Sequence, residues 1–287
     1  MPELAYVNGR YMPIADATVS IEDRGMQFGD GVYEVIVAYD GRLFQLESHM
    51  QRLRRSAAAI GLVYDFDDQP LEDVLSEGLR RSGFDDAMIY VQLTRGTAPR
   101  VHLMPEGLAP TVIMTFKPRP IVPEEMVRRG MSVMTTPETR WANCYIKAIT
   151  LLPNILARTE AHRQGYDDAI FVTEAGEVRE WTASNIFIVT ANVLRFPPRN
   201  DAVLHGVTQS FLLDCAAAIH LETKEESFDV IALQGADEVF MSNTSFEVMG
   251  VTSIDGKPVG GGSVGAVTKR LHAEFLRRVR EPSATLP

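Results

Sequence analysis

The chain has 287 residues, 45% of them hydrophobic and 23% charged, a soluble composition long enough for one large domain or two smaller ones. Its formal net charge of -10 opposes binding to nucleic acid and to anionic membranes, and no apolar run is long enough to span a bilayer. The two cysteines, Cys144 and Cys215, form no CxxC pair and no zinc-spaced set, which excludes a disulfide scaffold and a structural zinc site. With no basic and apolar leader at the N-terminus, a cytoplasmic protein without a metal is expected.

Asn8-Gly9 separates two short alternating runs in LAYVNGRYMP and predicts a hairpin; Asp40-Gly41 in GVYEVIVAYDGRLFQL predicts a second. Over 46–60 the period becomes helical, with Leu46, Met50, Leu53, Ala57 and Ile60 on one face and Gly61 as a stop. Arg52, Arg54 and Arg55 lie on this helix, where scattered arginines read as a solvated face, Arg52 excepted. A second helix runs from Pro70 to Ser82, with Leu71, Val74, Leu75 and Leu79 on one side and Gly83 at its end. Strands AMIYVQLT and TVIMTFK follow, flanking the loop RGTAPRVHLMPEG. KPRPIVPEE has three prolines and no periodicity and reads as a linker. A small domain over 1–120 and a larger one over 121–287 are therefore expected.

The second part opens with the strand MSVMTT. A helix follows Lys147, with Pro153 near its first turn and Gly165 past its end. DAIFVTEAGEVREWT predicts a hairpin at Ala175-Gly176, and NIFIVT a further strand. HGVTQSFLLDCAAAIHL predicts a helix with Phe211, Leu212, Cys215 and Ile219 on one face. DEVFMSN reads as a strand, Asp255-Gly256 as a hairpin turn, and the C-terminal run as a glycine-led helix with Leu271, Phe275, Leu276 and Val279 facing inward. Hairpins and helices without regular βαβ alternation give an α+β class.

Lys147 sits among apolar residues in CYIKAITLL. It is either an exposed lysine at a strand end or a desolvated amine with a lowered pKa, which is a nucleophile. Glu180, in EVREWTASN, either faces water or bonds the ring nitrogen of a pyridine cofactor. The free N–H groups opening HGVTQS, the helix dipole and the Thr208 hydroxyl form an anion site, or Thr208 is a plain cap. Ser242-Asn243-Thr244-Ser245 is a source of further hydroxyl donors or a turn. Arg100 and His102, one residue apart in a Gly/Pro-shaped loop, have the chemistry of a carboxylate clamp, or are ordinary surface cations. Asp23-Arg24-Gly25 and Gly29-Asp30-Gly31 imply tight turns before Tyr33, which is a core residue or a site donor; they match no dinucleotide or Walker fingerprint.

EDRGMQFGDGVYEV, RGTAPRVHLMP, YIKAITLLPNILA, EVREWTASNIF and LHGVTQS occur in the order found in fold type IV pyridoxal-phosphate enzymes, and the chain resembles the D-amino acid aminotransferases of that group from about Tyr6 to its last helix. The resemblance implies two domains with pyridoxal 5'-phosphate between them. It makes Lys147 the residue that holds the cofactor covalently and moves the substrate proton, and Glu180 the partner of the pyridine nitrogen. Arg52, Val207, Thr208 and Thr244 are implied to hold the phosphate, Leu204 to pack on a ring face, and Tyr33, Arg100 and His102 to bind the substrate carboxylate. It further implies a homodimer, in which the loop of Arg100 and His102 completes the partner's site. The implied reaction moves an amino group from a D-amino acid to a 2-oxo acid in ping-pong order. Branched-chain and R-amine transaminases and 4-amino-4-deoxychorismate lyase share the fold type; a non-enzymatic binding protein would need neither Lys147 nor Glu180. Trp181 departs from the glycine often found after the glutamate, and fills space near the cofactor or points away from it.

Overall fold

Three Asn-Gly or Asp-Gly pairs adopt the left-handed geometry that a two-residue hairpin turn demands. In the computed structural model, which describes residues 3–281, Asn8 and Gly9 have φ of 42° and 89°, Asp40 and Gly41 49° and 73°, and Asp255 and Gly256 51° and 74°. Asn8-Gly9 joins β1 (Leu4–Val7) to β2 (Arg10–Pro13), and the short helix α1 (Arg24–Phe28) comes next. Asp40-Gly41 joins β3 (Gly31–Tyr39) to β4 (Arg42–Leu43). Helices α2 (Leu46–Ala59) and α3 (Leu71–Ser82) follow, then β5 (Ala87–Thr94) and β6 (Thr111–Pro118). The six strands form one antiparallel sheet in the order β2-β1-β6-β5-β3-β4. Met50, Leu53, Leu71, Leu75, Ile89 and Phe116 are buried in its core.

These elements belong to a unit of Met1–Pro120 and Ile146–Thr150. A continuous cut at residue 120 assigns Lys147 to the second domain; its backbone is instead tied to β3. Tyr33 N donates to Lys147 O at 2.9 Å, and Ile149 N to Gly31 O at 3.1 Å.

The other unit, Ile121–Tyr145 and Leu151–Pro287, begins with α4 (Glu124–Arg129) inside the stretch read as a linker. Pro123 stands at its N-cap, so the prolines end where the helix begins. Strand β7 (Met131–Pro137), helix α5 (Leu152–Arg163) and strands β8 (Asp168–Val172), β9 (Val178–Trp181), β10 (Asn185–Thr190) and β11 (Val193–Phe196) follow. Helix α6 (Val207–Ala218) leads to β12 (Glu222–Glu225), α7 (Val230–Gln234), β13 (Glu238–Asn243), β14 (Glu247–Ile254), β15 (Lys257–Pro258) and α8 (Ala266–Arg280). The mixed sheet runs β12-β11-β10-β13-β14-β7-β8-β9, with β15 on β14. Leu271, Phe275 and Val279 of α8 are buried as expected, and Phe275 meets Phe211 of α6 edge to face at 5.2 Å. Trp181, 1% exposed, packs in the core with Ile170, Ile186 and Met241. Among the described residues no helix is long and apolar enough to cross a membrane, and no cluster of potential metal ligands occurs.

Candidate active site

Strand alternation sets up the first cluster. Val32, Glu34, Ile36 and Ala38 share one parity of β3, and all four are fully buried, so a carboxylate stands in an apolar row. Helix α2 brings it partners: His49 Nδ1 lies 2.7 Å from Glu34 Oε2, and Arg52 donates through Nε and Nη2 to the two oxygens of Glu34 at 2.7 Å each. Burial pushes the Glu34 carboxyl up, but Arg52 and then His49 more than reverse this and hold it at about 2. Burial moves the His49 imidazole the other way, below its ordinary value, against the pull of Glu34.

One turn on, Ser56 Oγ accepts from Lys147 N at 3.1 Å. Lys147 is half-buried, and its Nζ lies 4.3 Å from the centre of the Tyr33 ring. Tyr33 stacks obliquely on Tyr90 at 5.6 Å. Lys147, Tyr33 and Arg52 therefore gather around β3 and α2. Arg100 and His102 are exposed, on the loop between β5 and β6.

A second cluster lies in the other unit. Glu180, at the end of β9, is 5% exposed. Arg140 donates through Nη1 to its Oε1 at 2.6 Å, while Nε and Nη2 of the same arginine bind Glu138. Leu204 N donates to both Glu180 oxygens at 3.2 and 3.1 Å. Asn185 Nδ2 joins Glu180 Oε2 at 3.3 Å to Leu204 O at 2.7 Å. Burial pushes the Glu180 carboxyl up, and Arg140 opposes that push.

Two residues beyond Leu204, Gly206 caps α6 without a side-chain cap, and a Cβ there would run into Asn185. Val207 and Thr208, in the first turn, are buried. The Ser242 hydroxyl, on the strand residue paired with Asn185, is buried without a hydrogen-bond partner. Glu180, Leu204, Val207 and Thr208 thus belong to one cluster, and Thr244 occupies the turn between β13 and β14. Sequence reasoning misses Glu34, His49, Arg140 and Asn185. Only Glu34 has a visible signal, as the acid in the buried parity of a strand.

Residues 31–254 match the family described as amino-transferase class IV. The chain is 38% identical over 279 residues to a D-alanine aminotransferase of Staphylococcus epidermidis, covering 97% of this chain and 98% of that protein. It is 38% identical to a D-alanine aminotransferase of Bacillus licheniformis, covering 96% and 97%. Among solved structures it resembles the branched-chain amino acid aminotransferase of Escherichia coli, with a TM-score of 0.88 at 29% identity, covering 96% of this chain and 94% of that one. The branched-chain aminotransferase of the thermophilic archaeon Thermoproteus uzoniensis, solved with norvaline, gives a TM-score of 0.86 at 29% identity, covering 96% and 94%. The chain belongs to the class IV amino-transferases, the fold type IV enzymes that work with pyridoxal 5'-phosphate.

Proposed function

We propose that this aminotransferase moves the amino group of D-amino acids, D-alanine among them, to 2-oxo acids such as 2-oxoglutarate or pyruvate. The observation that carries this reading is the near-full-length similarity to D-alanine aminotransferases, in a chain that bears Arg100 and His102 together on one loop.

The residues fit pyridoxal phosphate. Glu180 is a buried carboxylate already holding N–H donors. The start of α6 is buried and lacks a side-chain cap, and an unpartnered hydroxyl lies buried at Ser242. When bound, the cofactor supplies an electron sink for the carbon that gives up its proton. In this reading Lys147 Nζ holds the cofactor, then takes and returns the substrate α-proton. Glu180 keeps the ring nitrogen protonated, with Leu204 against the ring. The N–H groups of Val207 and Thr208, the hydroxyls of Thr208 and Thr244, and the buried cation of Arg52 hold the phosphate. Tyr33, Arg100 and His102 receive the substrate carboxylate, the last two from the partner subunit of a homodimer. Exposed Val101, Leu103 and Met104 beside the clamp, and exposed Leu152, Ile155 and Leu156 on α5, support burial against a second copy. The composition and two unpaired cysteines support a cytoplasmic location.

A branched-chain activity is the second reading, favoured by the solved structures the fold resembles. Absorbance spectra of the holoenzyme, with D-alanine, L-leucine or an R-amine added separately, decide between them. Loss of the yellow band with D-alanine alone is expected. Loss only with L-leucine or the amine would overturn the D-specific reading.

A further inference from the structure

The segment from Asp23 to Asp30 has no part in the roles above, yet it carries an arginine that is only 3% exposed. Arg24 donates through Nε to Asp30 Oδ2 at 2.8 Å and through Nη1 to Val101 O at 2.7 Å. Val101 is the residue between Arg100 and His102. Asp30 Oδ2 also accepts from Arg95 Nε at 2.8 Å, and Arg95 donates onward to the carbonyls of Ile60 and Gly61 at 2.7 Å each. The base of the loop is pinned as well, by Arg24 N to Gly96 O at 2.9 Å and Ala98 N to Glu22 O at 3.2 Å. Gly96 has a φ of 102°, and a Cβ there would overlap the Ala109 carbonyl, so the two legs of the loop meet where only glycine fits.

Phe28 then gathers the functional side chains. The guanidinium carbons of Arg24 and Arg100 lie 4.8 and 4.9 Å from its ring centre, and the His102 ring 5.5 Å. An exposed arginine carries a large rotamer entropy, and an aromatic face within reach of its charge restricts it. A carboxylate-binding fork gains affinity when its position is fixed before substrate arrives.

We infer that Arg24, Phe28 and Asp30 are positioning residues that pre-order Arg100 and His102 for the α-carboxylate of amino-acid and oxo-acid substrates. This rests on the proposed carboxylate role of that pair. Arg24 fixes the backbone between the two clamp residues, Asp30 holds Arg24 in place, and Phe28 seats the Arg100 fork.

The test uses the holoenzyme and its best amino-acid substrate. Phe28→Leu keeps an apolar side chain but removes the ring face. It should raise KM about 3- to 10-fold, the size of the cation–π contact to Arg100 that it removes. The inhibition constant for propionate should rise by the same factor, and kcat should fall far less than kcat/KM. In an Arg100→Ala background, Phe28→Leu should add nothing to KM. Arg24→Lys should speed hydrogen exchange over residues 97–107. Unchanged exchange there, or the same KM penalty for Phe28→Leu with and without Arg100, overturns the inference. Arg100→Ala with a wild-type KM overturns the clamp itself. A wild-type Phe28→Leu beside an impaired Arg100→Ala overturns only the positioning role.

Discussion

Replacing Arg140 by methionine removes the cation that faces Glu180 and leaves the carboxylate buried. The two side chains meet at 2.6 Å, and both are nearly inaccessible. At a charge separation of about 4 Å and an effective dielectric of about 20, their attraction is about 4 kcal/mol. Breaking a buried pair from one side costs about 3–5 kcal/mol, because the remaining charge stays desolvated. Methionine retains an apolar stem near the Phe171 ring, on which the guanidinium carbon now lies at 4.4 Å. The loss is therefore mainly electrostatic. Burial already pushes the Glu180 carboxyl above its ordinary value with Arg140 opposing, so Arg140→Met raises it further. In the proposed role of Glu180, its protonated form would no longer hold the ring-nitrogen proton in place. We expect kcat about 100-fold below wild type at acid pH, with the gap narrowing as pH rises and Glu180 ionises. The assay is the initial rate with both substrates saturating, across pH, on protein whose cofactor content has been checked by absorbance. Wild-type kcat in Arg140→Met would refute the dependence on Arg140. A loss of the same size at every pH would refute its electrostatic origin.

Three further outcomes are expected. Lys147→Ala should abolish turnover yet melt within about 3 °C of wild type, because the side chain is half-buried and a cation–π contact is worth about 0.5–1 kcal/mol; full activity would sink the assignment. Glu34 is held near 2 against an ordinary 4.5, so it contributes about 3 kcal/mol that is complete above pH 4.5 and lost as pH falls towards 2. His49, lowered from 6.5, adds stability that is complete above that value and declines below it, so the melting temperature should fall steadily on acidification. Glu34→Gln should weaken the loss at the acid end, and an unchanged acid profile in that variant would count against the pairing. Trp181→Phe should cost about 1–3 kcal/mol of stability, as a partial loss of core volume does, and change kcat/KM less than about twofold. A larger kinetic effect would move Trp181 from the core to the substrate pocket.

Local signals reach as far as the chemistry is local. Paired turn residues mark three hairpins, because few dipeptides accept two positive φ angles. The apolar period marks α2, α3, α6 and α8. Helix α1 is invisible, since five residues carry too little period and its one sign is the Asp23 side chain accepting from Gly25 N. Strand β12, Glu-Thr-Lys-Glu, is exposed throughout and exists through parallel pairing with β11, which no window of its own sequence shows. The site divides in the same way. Lys147 stands out as a charge among apolar neighbours, and Glu180 through the resemblance that its segment carries. Their supports do not: Arg140 is 40 residues from Glu180, and Arg24 is 77 from the carbonyl it holds. Trp181 is undecidable from sequence because adjacent strand residues face opposite ways, and its burial with Ile170 and Met241 settles the side.

The two clusters solve one electrostatic problem with the charges exchanged. An isolated charge in an apolar setting moves its pKa and neutralises. In one unit Glu34 faces the buried cation of Arg52, and in the other Arg140 opposes the upward push of burial on the Glu180 carboxyl. Each fork is engaged through two or more of its nitrogens, both bonds of Arg52 going to Glu34 and those of Arg140 being shared between Glu180 and Glu138, which fixes direction as well as charge. Such pairs add little net stability compared with apolar packing, so stability alone does not account for them. The proposed roles of Arg52 and Glu180, each a fixed ion meeting a charged group without first reorganising, would account for them and make a separable claim. Arg52→Lys and Arg140→Lys each preserve the charge but lose the planar fork. Both variants should therefore bind pyridoxal phosphate more weakly while retaining the far-ultraviolet spectrum of a folded protein. Wild-type cofactor affinity in both would show that charge suffices and that the forks are not needed for orientation.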